Sequence, residues 1–207
     1  MSGAEPPAPP PLILASTSPY RAMLLDRLGV SYTQQSPGVD EEAVTAALSI
    51  SKPADPAALA ERLAVLKAEA VAERNPQAAC LGSDQVAVAG GEIVSKPGTP
   101  ERALAQLIAA RDGGLSLFCG VALAGPGERR RATVVRSDLV LHPLSDDRLR
   151  AYVAKVNPVN CAGSFKLEEP GGLALFERID AADWTAVIGL PLLTVAAWLR
   201  DAGHDLP

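Results

Sequence analysis

The chain has 207 residues, 48% hydrophobic and 21% charged, with a formal net charge of -5, enough to bury a sizeable core as one domain or two small lobes. Three Phe, three Tyr and two Trp are too few for a ladder that stacks successive bases of a single strand. The acidic balance, with no Lys/Arg run longer than Arg129-Arg130-Arg131, speaks against a nucleic-acid polymer as partner, and no stretch approaches the roughly 20 apolar residues of a membrane span.

Residues 1–10 are Pro-rich and lack the basic and apolar regions of a secretory signal, so they are expected to form a disordered leader before a single domain over 11–207. The apolar run from Leu12 to Ser16 reads as a buried strand, and Ser18-Pro19 as the cap and first residue of a helix that stops at Gly29. Asp55-Pro56 opens a helix to about Arg74, Thr99-Pro100 one to about Arg111, and Ser145 and Pro191 open two more. Strand-like runs lie at 30–36, 79–89, 115–124, 131–142 and 172–179, with turns at Gly90-Gly91 and Gly125-Pro126-Gly127. Arg129-Arg130-Arg131 reads as a solvated hairpin tip. The order of elements is that of a mixed α/β chain.

Cys80, Cys119 and Cys161 are isolated and odd in number, which fits neither a disulfide framework nor a thiolate zinc site and favours a reducing, cytoplasmic setting. His142 and His204 have no G-x-S-x-G elbow beside them, and there is no G-x-x-x-x-G-K-[ST] phosphate loop.

The junction at 12–29 carries the strongest chemical signal. Arg21 shares a helix face with Leu24, Leu25 and Leu28 and sits at the positive end of the macrodipole, so it pairs either with a nearby carboxylate or with a bound anion. Ser16, Thr17 and Ser18, with the helix start, form a cradle suited to phosphate. Asp84, followed by Gln85, is embedded in a strand-like run, where an ionised carboxylate must be paired or functional. Asp40-Glu41-Glu42 reads either as a solvated acidic loop or as oxygen ligands for a hard divalent cation. Lys67 starts from the edge of an apolar stripe of Leu59, Leu63, Leu66 and Ala70, and Lys96 follows a short strand. Lys166 and Glu168 lie in a small-residue loop ending at Gly171-Gly172 that can line a ligand.

Leu14-Ala15-Ser16-Thr17-Ser18-Pro19, Gly82-Ser83-Asp84-Gln85, Ser95-Lys96-Pro97, the stretch from Asn160 to Lys166, and Ile188-Gly189-Leu190-Pro191-Leu192 resemble, in order, the Maf family of nucleoside triphosphate pyrophosphatases. Asp84-Gln85 and the stretch Asn160–Lys166 with Glu168 resemble the branch that acts on 7-methyl-GTP; the dTTP/UTP branch usually carries Asp-Thr and a second arginine after the proline. The resemblance implies a mixed elongated sheet with flanking helices, two lobes around a central cleft and an ITPase-like architecture. The implied reaction is hydrolysis of 7-methyl-GTP to 7-methyl-GMP and diphosphate, which would keep modified nucleotides from incorporation. By the same resemblance, Asp84 matches the proton acceptor, and Tyr20, Gln85 and Glu168 match positions linked to base choice. Arg21, Lys67 and Lys96 match basic residues around the phosphates, and Glu41 an acidic residue near a divalent metal, Mg or Mn. Activity on dTTP or UTP, or a non-enzymatic role in septum formation, are the alternatives, and the sequence leaves a homodimer open. Ala22 stands where a second basic residue is frequent, and Cys119 where a threonine is usual.

Overall fold

In the computed structural model, which describes residues 8–49, 55–126 and 130–207, the run Leu12–Leu14 forms strand β1 and Ser18-Pro19 opens helix α1 (Pro19–Asp26). Then come β2 (Tyr32–Gln34), α2 (Glu41–Ser49), α3 (Pro56–Ala72), β3 (Ala79–Ala89), β4 (Glu92–Val94), α4 (Pro100–Gly113) and β5 (Leu115–Ala124). The chain continues through β6 (Arg130–Leu141), α5 (Asp146–Val156), a 3-10 turn at Leu173–Leu175, β7 (Phe176–Ala181), α6 (Thr185–Ile188) and α7 (Leu192–Asp201).

Four helix starts match the capping grammar: the side chains of Ser18, Asp55, Thr99 and Ser145 each accept a main-chain N–H of the first turn. Some expectations need correction. Helix α1 ends at Asp26 rather than reaching Gly29, and the expected strand at 172–179 begins only at Phe176, after the 3-10 turn. Asp40-Glu41-Glu42 is not a loop but the start of α2: Asp40 Oδ1 accepts the Ala43 N–H at 3.0 Å, and two acids occupy the first turn, where the helix dipole favours them. Most of the expected leader, together with Gly127 and Arg129, lies outside the described residues. Arg130 and Arg131 belong to β6, where they pair with Glu69 at 3.1 Å and Asp201 at 2.5 Å.

The strands make one seven-stranded mixed sheet, in the order β2-β1-β3-β5-β6-β7, with β4 paired to β3. β1 is parallel to β2 and β3, and the remaining pairs are antiparallel. Along β3, side chains alternate between faces. Leu81 packs with Leu24 of α1 and Leu199 of α7, whereas Cys80 packs with Val71 of α3. Farther along, Ala87 and Leu117 meet Leu107 of α4 and Leu149 of α5. Helices therefore cover both faces, which fits the nearly continuous burial of β3. Among the described residues no helix is long and apolar enough to cross a membrane.

Helix α3 lies unusually close to the sheet. A methyl group at Gly82 would overlap the Ala64 carbonyl and stand 2.6 Å from the Ala68 N–H nitrogen; one at Gly120 would overlap the Ala60 carbonyl and stand 2.9 Å from the Glu61 nitrogen. Ala60, Ala64 and Ala68, spaced by four, form the small-residue stripe that rests on these two glycines. Gly120→Ala is expected to force helix and sheet apart and to lower stability by about 2 kcal/mol or more. Urea unfolding monitored by circular dichroism measures it, and an unchanged midpoint would contradict this packing account.

Candidate active site

The site forms where the sheet has a gap. β1 pairs with β3 only up to Leu81, and β4 takes up the same side again at Ala87. Between them, residues 82–86 have no strand neighbour on that edge among the described residues. Both flanking strands end at this gap: β1 runs into Ser16-Thr17-Ser18, and β4 into Ser95-Lys96. The strand alternation sends Asp84 toward α3 and Ser83 and Gln85 toward the opposite face.

On the α3 side, Lys67 is 4% exposed and thus lies inside the buried face of its helix, not at its edge. The close approach at Gly82 and Gly120 brings it over β3. Its Nζ lies 2.5 Å from Asp84 Oδ1 and 2.5 Å from Glu41 Oε1. A buried ammonium requires such partners, since an unpaired charge there would cost several kcal/mol. Burial opposes ionisation of Glu41, but the hydrogen bond from Lys67, with the charges of Lys67, Lys96 and Arg21, outweighs it and holds this carboxyl below its usual range. Glu41 thus touches one cation and lies in the field of two more. Asp84 is 7% exposed and, among the described residues, its Oδ2 makes no hydrogen bond.

Arg21 has no carboxylate partner among the described residues. Its Nε donates to Gly189 O at 3.1 Å and its Nη1 to Ser16 Oγ at 3.4 Å, which leaves guanidinium donors for an anion. Ser16 Oγ also accepts the Ser18 N–H at 3.1 Å, and Ser18 Oγ accepts the Arg21 N–H at 3.5 Å. Lys96 is exposed and has no side-chain partner among the described residues. These groups come from α1, α3 and the end of β4, as the sequence reading expects.

The base-side candidates gather on the other face. Tyr20 is half-buried, and its hydroxyl pKa is raised by burial first and then by Cys161, Glu168 and Glu169, with Lys166 opposing. The charges of the 161–169 loop thus reach the start of α1. Lys166 is half-buried, with Nζ 3.4 Å from Val156 O, and Glu168 is exposed. Gln85 Nε2 donates to Ala186 O at 2.8 Å and Val187 O at 3.1 Å. Ser164 holds this loop in a left-handed conformation, φ 61°, with its hydroxyl donating to Gln106 Oε1 at 2.6 Å.

Of the two sequence departures, Ala22 packs against the apolar core below α1. Cys119 is fully buried 3.7 Å from Ser83 Oγ, and burial pushes its thiol up to about 12, so it is no nucleophile. Asp183 and Thr185 were not singled out from the sequence, yet both are buried and hold the turn that carries Gly189. A short Asp-x-Thr leading into a four-residue helix that begins at Thr185 gives too little periodicity to stand out. Two surface hollows, of about 570 Å³ near Arg111 and about 300 Å³ near His204, include none of the candidate residues.

No group of three or more His, Cys, Asp or Glu side chains among the described residues forms a ready cation cage. Glu41 and Asp84 are carboxylates of the kind that bind Mg²⁺ together with substrate phosphates, but the point shared by Glu41 Oε1 and Asp84 Oδ1 is taken by the Lys67 ammonium, which leaves a cation the other oxygen of Glu41.

The family model described as Maf-like protein matches residues 11–202. A Xanthomonas campestris protein named 7-methyl-GTP pyrophosphatase is 43% identical over 198 residues, spanning 96% of this chain and 99% of its own. Proteins of the same name from Pseudomonas aeruginosa and Nitrosococcus oceani are 41% and 39% identical, covering 96% and 97% of this chain and 100% and 97% of theirs. Among solved structures, a nucleoside-triphosphatase / dITP/XTP pyrophosphatase from Mycobacterium abscessus matches at 16% identity and TM-score 0.42, covering 91% of this chain and 93% of that one.

Two outcomes follow from the geometry. Lys67→Met is expected to destabilise the fold by about 3–5 kcal/mol, because it strands Asp84 without its cation; Lys67→Met/Asp84→Asn should cost less than the sum of the two single changes. Denaturant unfolding of the four proteins gives the coupling. Because the Glu41 pKa is depressed on folding, its contribution to stability is present at neutral pH and fades as pH falls below the usual carboxylate range. The stability difference between wild type and Glu41→Gln should therefore shrink between about pH 5 and pH 3; a constant difference would contradict the ion pair.

Proposed function

The chain belongs to the Maf family, and from that premise we propose that it is a nucleoside triphosphate pyrophosphatase that hydrolyses 7-methyl-GTP to 7-methyl-GMP and diphosphate. The observation that carries the reading is Asp84: buried, tied to Lys67 through Oδ1, with Oδ2 unengaged among the described residues beside the gap in the sheet. The names of the full-length relatives supply the substrate class.

In this mechanism the triphosphate lies between the ends of β1 and β4. Arg21 and Lys96 neutralise phosphate oxygens as the charge shifts toward the leaving group, and Ser16 and Ser18 line the approach. Asp84 Oδ2 accepts a proton from a water molecule as its oxygen attacks the α-phosphorus and the α–β anhydride bond breaks. The diphosphate leaves with the bonding electrons, and the proton passes from Asp84 to solvent. Lys67 holds the carboxylate through Oδ1, so that Oδ2 stays directed at the water. Glu41 is the residue that would hold Mg²⁺ or Mn²⁺ together with the substrate phosphates; when bound, the ion would supply positive charge to the phosphate oxygens. On the opposite face Tyr20 offers a ring for a purine to stack on, and Glu168 a carboxylate to accept from a guanine N–H edge.

Diphosphate release from 7-methyl-GTP, GTP, dTTP and UTP, with Mg²⁺ or Mn²⁺, tests the reading. 7-methyl-GTP should give the highest kcat/KM, and Asp84→Asn should lower kcat by about 10²-fold or more while the fold is retained. A preference for dTTP or UTP would move the substrate to the other branch. No turnover of any nucleotide would leave the non-enzymatic role.

A further inference from the structure

The turn between β7 and α7 is built on one buried carboxylate. Asp183 is 5% exposed; its Oδ1 accepts the Thr185 N–H at 3.0 Å and the Thr185 hydroxyl at 2.5 Å, and its Oδ2 accepts the Leu193 N–H at 2.7 Å. Thr185 Oγ1 in turn accepts the Leu192 N–H at 2.8 Å. Both ends of the turn are thus pinned to the same side chain. Three carbonyls inside it point at candidate site residues: Ala186 O and Val187 O receive Gln85 Nε2, and Gly189 O receives Arg21 Nε and lies 2.9 Å from Ser83 Oγ.

The consequence for Gln85 is chemical. A side-chain amide has two N–H donors and one carbonyl acceptor. Here Nε2 lies within hydrogen-bond distance of two main-chain carbonyls, and the reversed orientation would set Oε1 against two carbonyl oxygens. Gln85 is half-buried, so what remains for a ligand is its acceptor Oε1. An acceptor matches a base with a ring N–H, such as N1–H of a guanine, and opposes one with a ring lone pair, such as N1 of adenine.

We propose that Asp183, through Thr185, is a positioning residue that fixes the Gln85 amide so that the pocket reads the base as a hydrogen-bond donor. The inference rests on the nucleotide-hydrolysing reading above and deepens it. Asp183 touches no substrate; it acts by holding the turn, and the same turn anchors Arg21 through Gly189, so base selection and phosphate binding share one support.

The test compares Thr185→Val, which removes the hydroxyl, with Thr185→Ser, which retains it, alongside Asp183→Asn. Two readouts are taken: the ratio of kcat/KM for 7-methyl-GTP to that for ATP, and hydrogen exchange of the Gln85 side-chain NH2 by NMR, its signal assigned by loss in Gln85→Met. Thr185→Val should lower the ratio about tenfold or more and speed exchange of the Gln85 protons, Asp183→Asn should do the same, and Thr185→Ser should restore both. If turnover of both nucleotides falls by one common factor, leaving the ratio unchanged, Asp183 is merely structural and the proposal is overturned. If wild type turns over no nucleotide, the functional reading fails separately; Gln85 exchange then decides, unchanged protection in Thr185→Val overturning the positioning role and faster exchange supporting it.

Discussion

The buried ammonium of Lys67 is the constraint on which the site depends. A charge that is 4% exposed must be met by opposite charge, and its two partners come from α2 and β3. Meeting them requires α3 to lie nearly on the sheet, and that in turn requires Gly82 and Gly120 beneath an alanine stripe. Glycine at 82 is therefore a packing residue two positions from the carboxylate that the packing serves. Gly120 is the register partner of Asp84 itself, so the absence of a side chain on β5 makes room for the helix that pairs with Asp84 on β3.

The interruption of the sheet gives that pair its access. If β1 and β4 met along β3, residues 82–86 would be walled off on that edge. Because they stop at Leu81 and Ala87, the strand ends themselves deliver Ser16, Ser18, Arg21 and Lys96 to its rim. The chain's net charge of -5 is thus no guide to this region, where the cations are gathered by strand ends and a helix rather than by a run in sequence.

Much of this was legible in the sequence because the caps are strong. Ser18-Pro19, Asp55-Pro56, Thr99-Pro100 and Ser145 each mark a helix start that the structure reproduces, and the long strands at 79–89 and 115–124 keep the same bounds. Helix α2 escaped because Asp40 caps a segment opening with two acids, which reads equally well as solvated loop. The burial of Lys67 escaped for a different reason: periodicity on α3 locates an apolar stripe from its leucines, of which Leu59 and Leu63 are buried, whereas the closest approach to the sheet is on the alanine side, set by Gly82 and Gly120 on two strands. Such pairing is non-local, and no window along the chain contains it.

The alternation of β3 separates two tasks by one residue. Asp84 turns to α3 and its lysine; Gln85 turns to α6 and the carbonyls of Ala186 and Val187. A ligand reaching both must cross the open strand edge, with Arg21 at the crossing, since its guanidinium is held by Gly189 on one side and adds to the field at Glu41 on the other. Changes on the α6 face can therefore alter which base is accepted without moving Asp84 or Lys67. Changes under α3 would disturb the hydrolytic carboxylate whatever the base.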